Sequence, residues 1–395
     1  MGFPPPGSRS AGARDNNGLG KRLIPVARPA LAGNERRYVE ECLETTWISS
    51  IGRFIGLFEQ SFARYCDVPH AIACNNGTSA VHLALLGVGV GPGDEVIVPA
   101  LTFVATANAV RYCGARPVFV DSEPRTMNLD PSRIESRINE RTRAIVAVHL
   151  YGHPADMDPI LEIARRRGLF VIEDAAEAHG ALYKGGRTGG LGDAAAFSFF
   201  GNKIVTTGEG GMVTTREASL AERIRLLRGQ GMDPERRYWF PIVGYNYRMT
   251  NIQAAIGLAQ IEQIGPKLEA RTRLAAAYRQ RLECLEDFLE LPAAESWAHP
   301  VYWLYTVVLK DSCPVERDEL MAQLAGDGIE TRPVFHPMHT LPPYRGSGGA
   351  YPVAEKLARR GLSLPMHEML SEEDLDFIAE RMAVLCRPAP MSFHS

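Results

Sequence analysis

No stretch of the 395-residue chain stays apolar for the roughly 20 residues that a transmembrane helix needs, so the sequence offers nothing to span a bilayer. A disulfide framework is missing too. The seven cysteines (Cys42, Cys66, Cys74, Cys113, Cys284, Cys313 and Cys386) are odd in number, scattered and without a Cys-x-x-Cys pair. They read as reduced, packing cysteines of a cytoplasmic protein. Charge of one sign is also scarce: the net charge is -3 and no long Lys/Arg block occurs. Nothing here would hold nucleic acid or an anionic membrane surface. Gly185, Gly186, Gly189, Gly190 and Gly192 form no dinucleotide fingerprint, because they lead into a strand where that motif would open a helix. There is no P-loop either.

What is present is an ordinary globular composition, 45% hydrophobic and 23% charged, in a chain long enough for two domains. The first 22 residues, MGFPPPGSRSAGARDNNGLGKR, carry almost no large apolar groups. They cannot offset their ordering entropy by burial and read as a disordered extension, without the apolar core of a secretory signal. Residues 389–395 read as a flexible tail. In between, short apolar runs alternate with amphipathic stretches. Strands are expected at 71–74, 95–99, 117–120, 144–149, 169–173, 195–199 and 211–214, with helices at 79–86, 102–112, 131–138 and 159–167 among them. Near-continuous apolar strands separated by helices imply an α/β fold, a mostly parallel seven-stranded sheet covered on both faces. From about Asn251 the texture changes: a helix to Ile264, a break at Gly265-Pro266, a second helix to about Leu285, a β-like segment at 302–309, a helix at 317–326 and a closing helix from Ser371. Residues 23–262 are therefore expected to form a large domain and 263–388 a smaller C-terminal α+β domain.

Ligands of such sheets sit beyond the carboxyl ends of the strands. There the run Leu169 to Ile172 ends in Glu173-Asp174, and GDAAAFSFFGNK places Ser198 five residues before Lys203. Gly208, Gly210 and Gly211 follow. A lysine to bond an aldehyde, an aspartate to keep a pyridine nitrogen protonated, and small or hydroxylic residues to admit a phosphate are what pyridoxal phosphate requires. Taken singly, each has a plainer explanation: a solvated surface lysine for Lys203, a helix cap or ion pair for Asp174. Asn75-Asn76-Gly77-Thr78-Ser79 follows a strand and opens a helix, where free amides and the helix dipole attract phosphate; alone it could be a simple N-cap. Phe103 could stack on a pyridine ring or belong to the core. Glu173 and Asp174 point to opposite faces of an extended segment, so one of the two should face the cofactor. The rival chemistry is metal binding by His149 and His153 or His336 and His339; adjoining Pro and Gly and the lack of a third ligand leave no metal site expected.

Together, NNGTSAVHLAL, GDEVIVPALTFVATANAV, VIEDAAEAHGA, GDAAAFSFFGNK, GEGGM and YNYRMTNIQAAIG resemble the sugar-nucleotide aminotransferases of the DegT/DnrJ/EryC1/StrS type over residues 23–386. The resemblance implies fold type I architecture, aspartate aminotransferase-like, with pyridoxal phosphate as cofactor and pyridoxamine phosphate as its alternate form. It further implies Lys203 as the lysine bonded to the cofactor, Asp174 on the pyridine nitrogen and Glu177 near O3′. Gly77, Thr78 and Ser198 would bind the phosphate, and Phe103 would stack on the ring. Asn246 would reach the phosphate from a neighbouring subunit, hence an obligate homodimer with shared sites. A dehydrating branch with His in place of the lysine is excluded by Lys203. The segments TTWISSIGRFI, FSFFGNKIVTTGEGGM, RGQGMDPERRYWFPIVGYNYRMT and RPVFHPMH are similar to the branch that aminates C4 of GDP-4-keto-6-deoxy-mannose. In that branch glutamate is the donor and 2-oxoglutarate the by-product. Relatives acting on UDP- or dTDP-sugars usually carry His where Phe200 stands. His336 would lie near the sugar, and Arg248 or Arg236 near the diphosphate. Two other readings are the same chemistry on another keto sugar nucleotide and a non-catalytic, cofactor-binding regulator; retention of Lys203, Asp174 and Glu177 speaks against the second.

Overall fold

The computed structural model describes residues 22–346 and 348–387. The expected disordered extension (all but Arg22) and the flexible tail lie outside the described residues. Seven strands form one sheet: β1 (His70–Cys74), β2 (Glu95–Pro99), β3 (Arg116–Val120), β4 (Thr142–Val148), β5 (Phe170–Asp174), β6 (Ala194–Ser198) and β7 (Gly211–Thr215). Their order is β1-β7-β6-β5-β4-β2-β3, and β7 alone runs antiparallel to its neighbours. Strands such as EVIVP and AAAFS are buried at every position, because helices cover both faces.

Helix α1 (Glu35–Glu44) precedes α2 (Arg53–Tyr65), whose Phe54, Phe58 and Phe62 recur every fourth residue and bury one face. They pack with Phe197 and Phe199 from the sheet and with α7 (Asn251–Glu262). The opposite face carries α3 (Gly77–Gly87), α4 (Val104–Tyr112) and α6 (Ala218–Arg228); α5 (Met157–Arg167) covers β4 and β5 on the α2 side and ends at Gly168, φ 65°. All seven expected strands are present within a residue or two. The helix expected over 131–138 is not formed. Two short 3-10 turns, Pro131–Arg133 and Glu135–Arg137, stand there instead. Asp130 caps the first through the Ser132 amide, and only Ile134 is buried, too little to anchor a longer amphipathic face.

Helix α8 (Ile264–Leu282) follows α7 after Gln263 alone. Gly265 and Pro266 were expected to break the chain, yet they lie in the first turn of α8, where the missing proline N–H has no partner to lose. Beyond it, β8 (Leu289–Glu290), β9 (Tyr305–Leu309), β10 (Arg332–Pro333) and β11 (Gly361–Leu364) form an antiparallel sheet in the order β8-β9-β11-β10. Helices α9 (Arg317–Gly326), α10 (Pro352–Arg360) and α11 (Glu372–Cys386) complete the region. Its core joins Tyr278 and Leu282 of α8 to Tyr305, Leu320 and Ile378, and takes in Ile24, bridged to Ile329. No helix of the described residues is long and apolar enough to cross a membrane.

Candidate active site

The carboxyl ends of β1, β4, β5 and β6 open into one cavity of about 470 Å³. It brings together Lys203, Asp174, Glu177, Gly77, Thr78, Ser198 and Phe103, which are separated by up to 126 residues of sequence (77 to 203). The last residue of β5 is Asp174. Its Oδ2 accepts a hydrogen bond of 2.7 Å from Thr106 Oγ1, Thr102 stands 3.3 Å behind Thr106, and the Ala176 amide donates to Oδ1 at 3.2 Å. A carboxylate so held stays fixed at the cavity wall.

Glu173 faces the other way. Its Oε1 accepts from the amides of Leu191 and Gly192, and its Oε2 from Gly189 and from His149 Nε2 at 3.0 Å. Because His149 Nδ1 accepts from the Ala155 amide, Nε2 carries the proton. Burial works to raise the Glu173 carboxyl, but these hydrogen bonds outweigh it and hold it below its ordinary value. The glycines at 189–192 thus wrap a buried carboxylate, not a phosphate. His153 bonds the Pro154 carbonyl and His339 meets Glu355. Among the described residues no three His, Cys, Asp or Glu side chains gather as a metal ion would need.

Lys203 follows the turn closed by its amide on the Phe200 carbonyl, 2.9 Å. Its Nζ lies 3.5 Å from Glu177 Oε1 and 3.7 Å from the centroid of the Trp303 ring. Burial pushes the lysine below its ordinary pKa against the pull of Glu177 and Asp174, and burial raises Glu177 against the pull of Lys203. Both groups are therefore drawn toward their neutral forms, as a lysine that must attack a carbonyl requires. Glu177 Oε2 accepts from the Tyr151 amide at 2.8 Å. Tyr151 sits in the left-handed region (φ 53°), stacked between Trp303 and Phe335.

At the start of α3, the Asn76 side chain caps the Ser79 amide, leaving the earlier amides of Gly77 and Thr78 directed off the helix end. A Cβ on Gly77 would lie 2.6 Å from Ser198 Cβ, so glycine is what lets the helix start approach the end of β6. Phe103, the N-cap of α4, is 54% exposed with its ring 5.6 Å from Phe335. The other four expected residues are not in the cavity of the single chain. Asn246 is exposed and accepts from Arg248; Arg236 lies over Trp239; His336 is exposed beside the lining residue Phe335. Asn246, Arg248 and Arg236 belong to a segment that also exposes Tyr238, Trp239, Phe240, Ile242 and Val243.

Sequence reasoning did not single out Thr106, Tyr151, Asn202, Trp303 or Arg332, all at the cavity or directly behind it. Thr106 had a signal: it lies four residues after Thr102, on the same face of a helix start. Asn202 stands next to Lys203 within a quoted motif, whereas Tyr151, Trp303 and Arg332 come from segments whose approach is set by tertiary packing alone.

These residues fit pyridoxal phosphate. A nearly buried amine, a fixed carboxylate and a helix start with amides directed off its end converge on one cavity. The buried Asn75 Oδ1 and Asn202 Oδ1 at its wall lack partners among the described residues. A mostly parallel sheet with this constellation at its carboxyl edge defines a pyridoxal phosphate-dependent enzyme of fold type I. The chain belongs to the DegT/DnrJ/EryC1/StrS aminotransferase family, whose profile matches residues 29–383. It is 59% identical over 354 residues to the GDP-perosamine synthase of Caulobacter vibrioides, covering 89% of this chain and 95% of that one. With the GDP-perosamine synthase of Escherichia coli O157:H7 the identity is 47% over 359 residues, covering 91% and 97%. The crystal structure of S. venezuelae DesV in complex with a ketimine intermediate superposes with a TM-score of 0.85 at 38% identity, covering 90% of this chain and 95% of that one.

Proposed function

We propose that the protein moves the amino group of glutamate to C4 of GDP-4-keto-6-deoxy-mannose, giving GDP-perosamine and 2-oxoglutarate in two half-reactions. The observation that carries this reading is the convergence of Lys203, Asp174 and Glu177 on one cavity, in a chain so similar to two GDP-perosamine synthases. The work is assigned to the cytoplasm, consistent with free cysteines throughout the described residues, and the product to surface-polysaccharide synthesis such as an O-antigen.

Bound there, pyridoxal phosphate supplies an electron sink and stores the amino group between half-reactions. Asp174, backed by Thr106, would keep the pyridine nitrogen protonated, Glu177 would serve the O3′ side, Gly77, Thr78 and Ser198 would hold the phosphate at the start of α3, and Phe103 would cover the ring. Lys203 would be the residue that holds the cofactor, and as the amine nearest the reacting atoms it would serve as the base and acid that moves the donor's Cα proton. Asn246 is assigned to the partner subunit's site in an obligate homodimer, His336 to the sugar, and Arg248 or Arg236 to the diphosphate. Residues 23–262 act as the large cofactor-binding domain, and residues 263–388 as a smaller one that lends Trp303, Arg332 and Phe335 to the cavity.

Absorbance tests the reading. The purified enzyme should show a cofactor band at ~410–430 nm that glutamate shifts to ~330 nm. Adding GDP-4-keto-6-deoxy-mannose should restore it. Restoration only by a UDP- or dTDP-linked keto sugar would move the substrate elsewhere, and no band even with added cofactor would end the assignment of Lys203.

A further inference from the structure

The Lys203 ammonium lies over an aromatic face. Nζ lies 3.7 Å from the Trp303 ring centroid, whereas its contact with Glu177 Oε1, at 3.5 Å, is at the outer edge of a hydrogen bond. That ring is fixed by three contacts. Its Nε1–H donates to the carbonyl of Asn202, the residue before the lysine, at 2.8 Å. Its main-chain amide donates to the Tyr151 carbonyl at 3.1 Å, and the two rings lie within 9° of parallel. Tyr151 in turn gives its amide to Glu177 Oε2. Lysine, indole, phenol and carboxylate thus close a circuit, and a Cβ on the neighbouring Gly152 would come within 2.9 Å of the Trp303 amide. Such a platform cannot turn its edge to the lysine without dismantling the circuit.

We propose that the Trp303 ring face is the resting site of the Lys203 ammonium while the lysine is detached from the cofactor. The inference rests on the reading of Lys203 as the residue that bonds the cofactor. Trp303 is then a positioning residue. It keeps the protonated amine, on a side chain only 10% exposed, over a polarisable face, so that the proton stays available for return. The other groups around Nζ do not replace it. Asp174 is engaged by Thr106, and Arg332 repels an ammonium. Burial holds His179 down to about 3 and the Tyr151 hydroxyl above its ordinary range, so both are neutral at working pH.

Shape-conserving weakening of the ring quadrupole is the test. The four tryptophans (Trp47, Trp239, Trp297 and Trp303) are replaced during expression by 5-fluorotryptophan and then by more heavily fluorinated analogues. With the enzyme in its pyridoxamine phosphate form, the pH dependence of acetic anhydride labelling at Lys203 is followed by mass spectrometry. A weaker face stabilises the ammonium less, so the Lys203 pKa should fall stepwise, by about half to one pH unit across the series. In a Trp303→Phe background the series should leave it unchanged. An unchanged pKa in the native background, or the same fall without Trp303, overturns the inference. Borohydride reduction of the untreated holoenzyme keeps the two ideas apart. If it marks Lys203 while the titration does not move, only the resting site is lost; if it marks another lysine, both fall.

Discussion

At the scale of single residues, the site is governed by how each charge is satisfied. Asp174 is held in place at the cavity wall by Thr106 and the Ala176 amide. Asp174→Asn should fold normally and lose on the order of 10²–10³ in kcat, since a neutral amide cannot hold the pyridine proton. Thr106→Val removes one hydrogen bond to a buried charge and should lower kcat by about 10- to 100-fold, always less than Asp174→Asn. Steady-state rates on both variants check the order; a silent Thr106→Val would detach that hydroxyl from the chemistry. The adjacent pair Glu173-Asp174 was legible in part. Alternation along a strand says that the two face apart, but the sequence does not say that Glu173 would be closed in by His149 and the 189–192 amides. Those partners arrive from other strands and turns.

At the scale of elements, the start of α3 and the end of β6 are made for each other. Gly77→Ala forces a methyl to within 2.6 Å of Ser198 Cβ. Overpacking of this kind should cost about 1–3 kcal/mol and loosen the cofactor, which equilibrium dialysis against pyridoxal phosphate would report. Further along α3, His82 is buried against Tyr112, Tyr245 and Tyr247, with Nδ1 3.3 Å from the Tyr247 hydroxyl. Burial holds its pKa down to about 4 in the folded state, from 6.5 when free. A depressed histidine is neutral in the fold and takes up a proton more readily when unfolded. Its contribution is therefore whole above pH 6.5 and is lost as pH falls through about 4. Between pH 7.5 and 4.5 this single group should remove about 2–3 kcal/mol of stability. Urea titrations at the two pH values should show a smaller loss in His82→Gln; equal losses would mean that His82 is not the group responsible. Strands were the most legible elements, because continuous apolar runs between turns leave few alternatives. The 131–138 segment was misread because its helical spacing is carried by two isoleucines alone.

At the scale of the whole molecule, the exposed segment bearing Tyr238, Trp239, Phe240, Ile242 and Val243 calls for a partner surface, and Asn246 lies on it. If Asn246 serves the partner's site, Lys203→Ala and Asn246→Asp chains are each defective alone yet complement when mixed. Random reassortment should restore about a quarter of the wild-type activity, because one site in each mixed dimer has both residues intact. No recovery after verified subunit exchange would place Asn246 in its own chain's site. The lysine, the aspartate and the helix start could be read from the sequence because each sits in a local motif. The aromatic wall of Trp303, Tyr151 and Phe335 could not, since its members come from segments far apart in the chain and meet only in the folded structure.

That distribution of the cavity's walls along the chain has a consequence for biogenesis. Asn75 to Thr78 are translated early, Asp174 and Lys203 midway, and Trp303 to Phe335 near the end, while β1 waits for β7 to become a sheet strand at all. On a ribosome adding roughly 5–20 residues per second, the last wall emerges on the order of tens of seconds after the first. No nascent fragment owns a finished cofactor pocket, so vitamin B6 capture falls to the released, fully folded polypeptide, and cells short of the vitamin should accumulate complete apoenzyme instead of truncated chains.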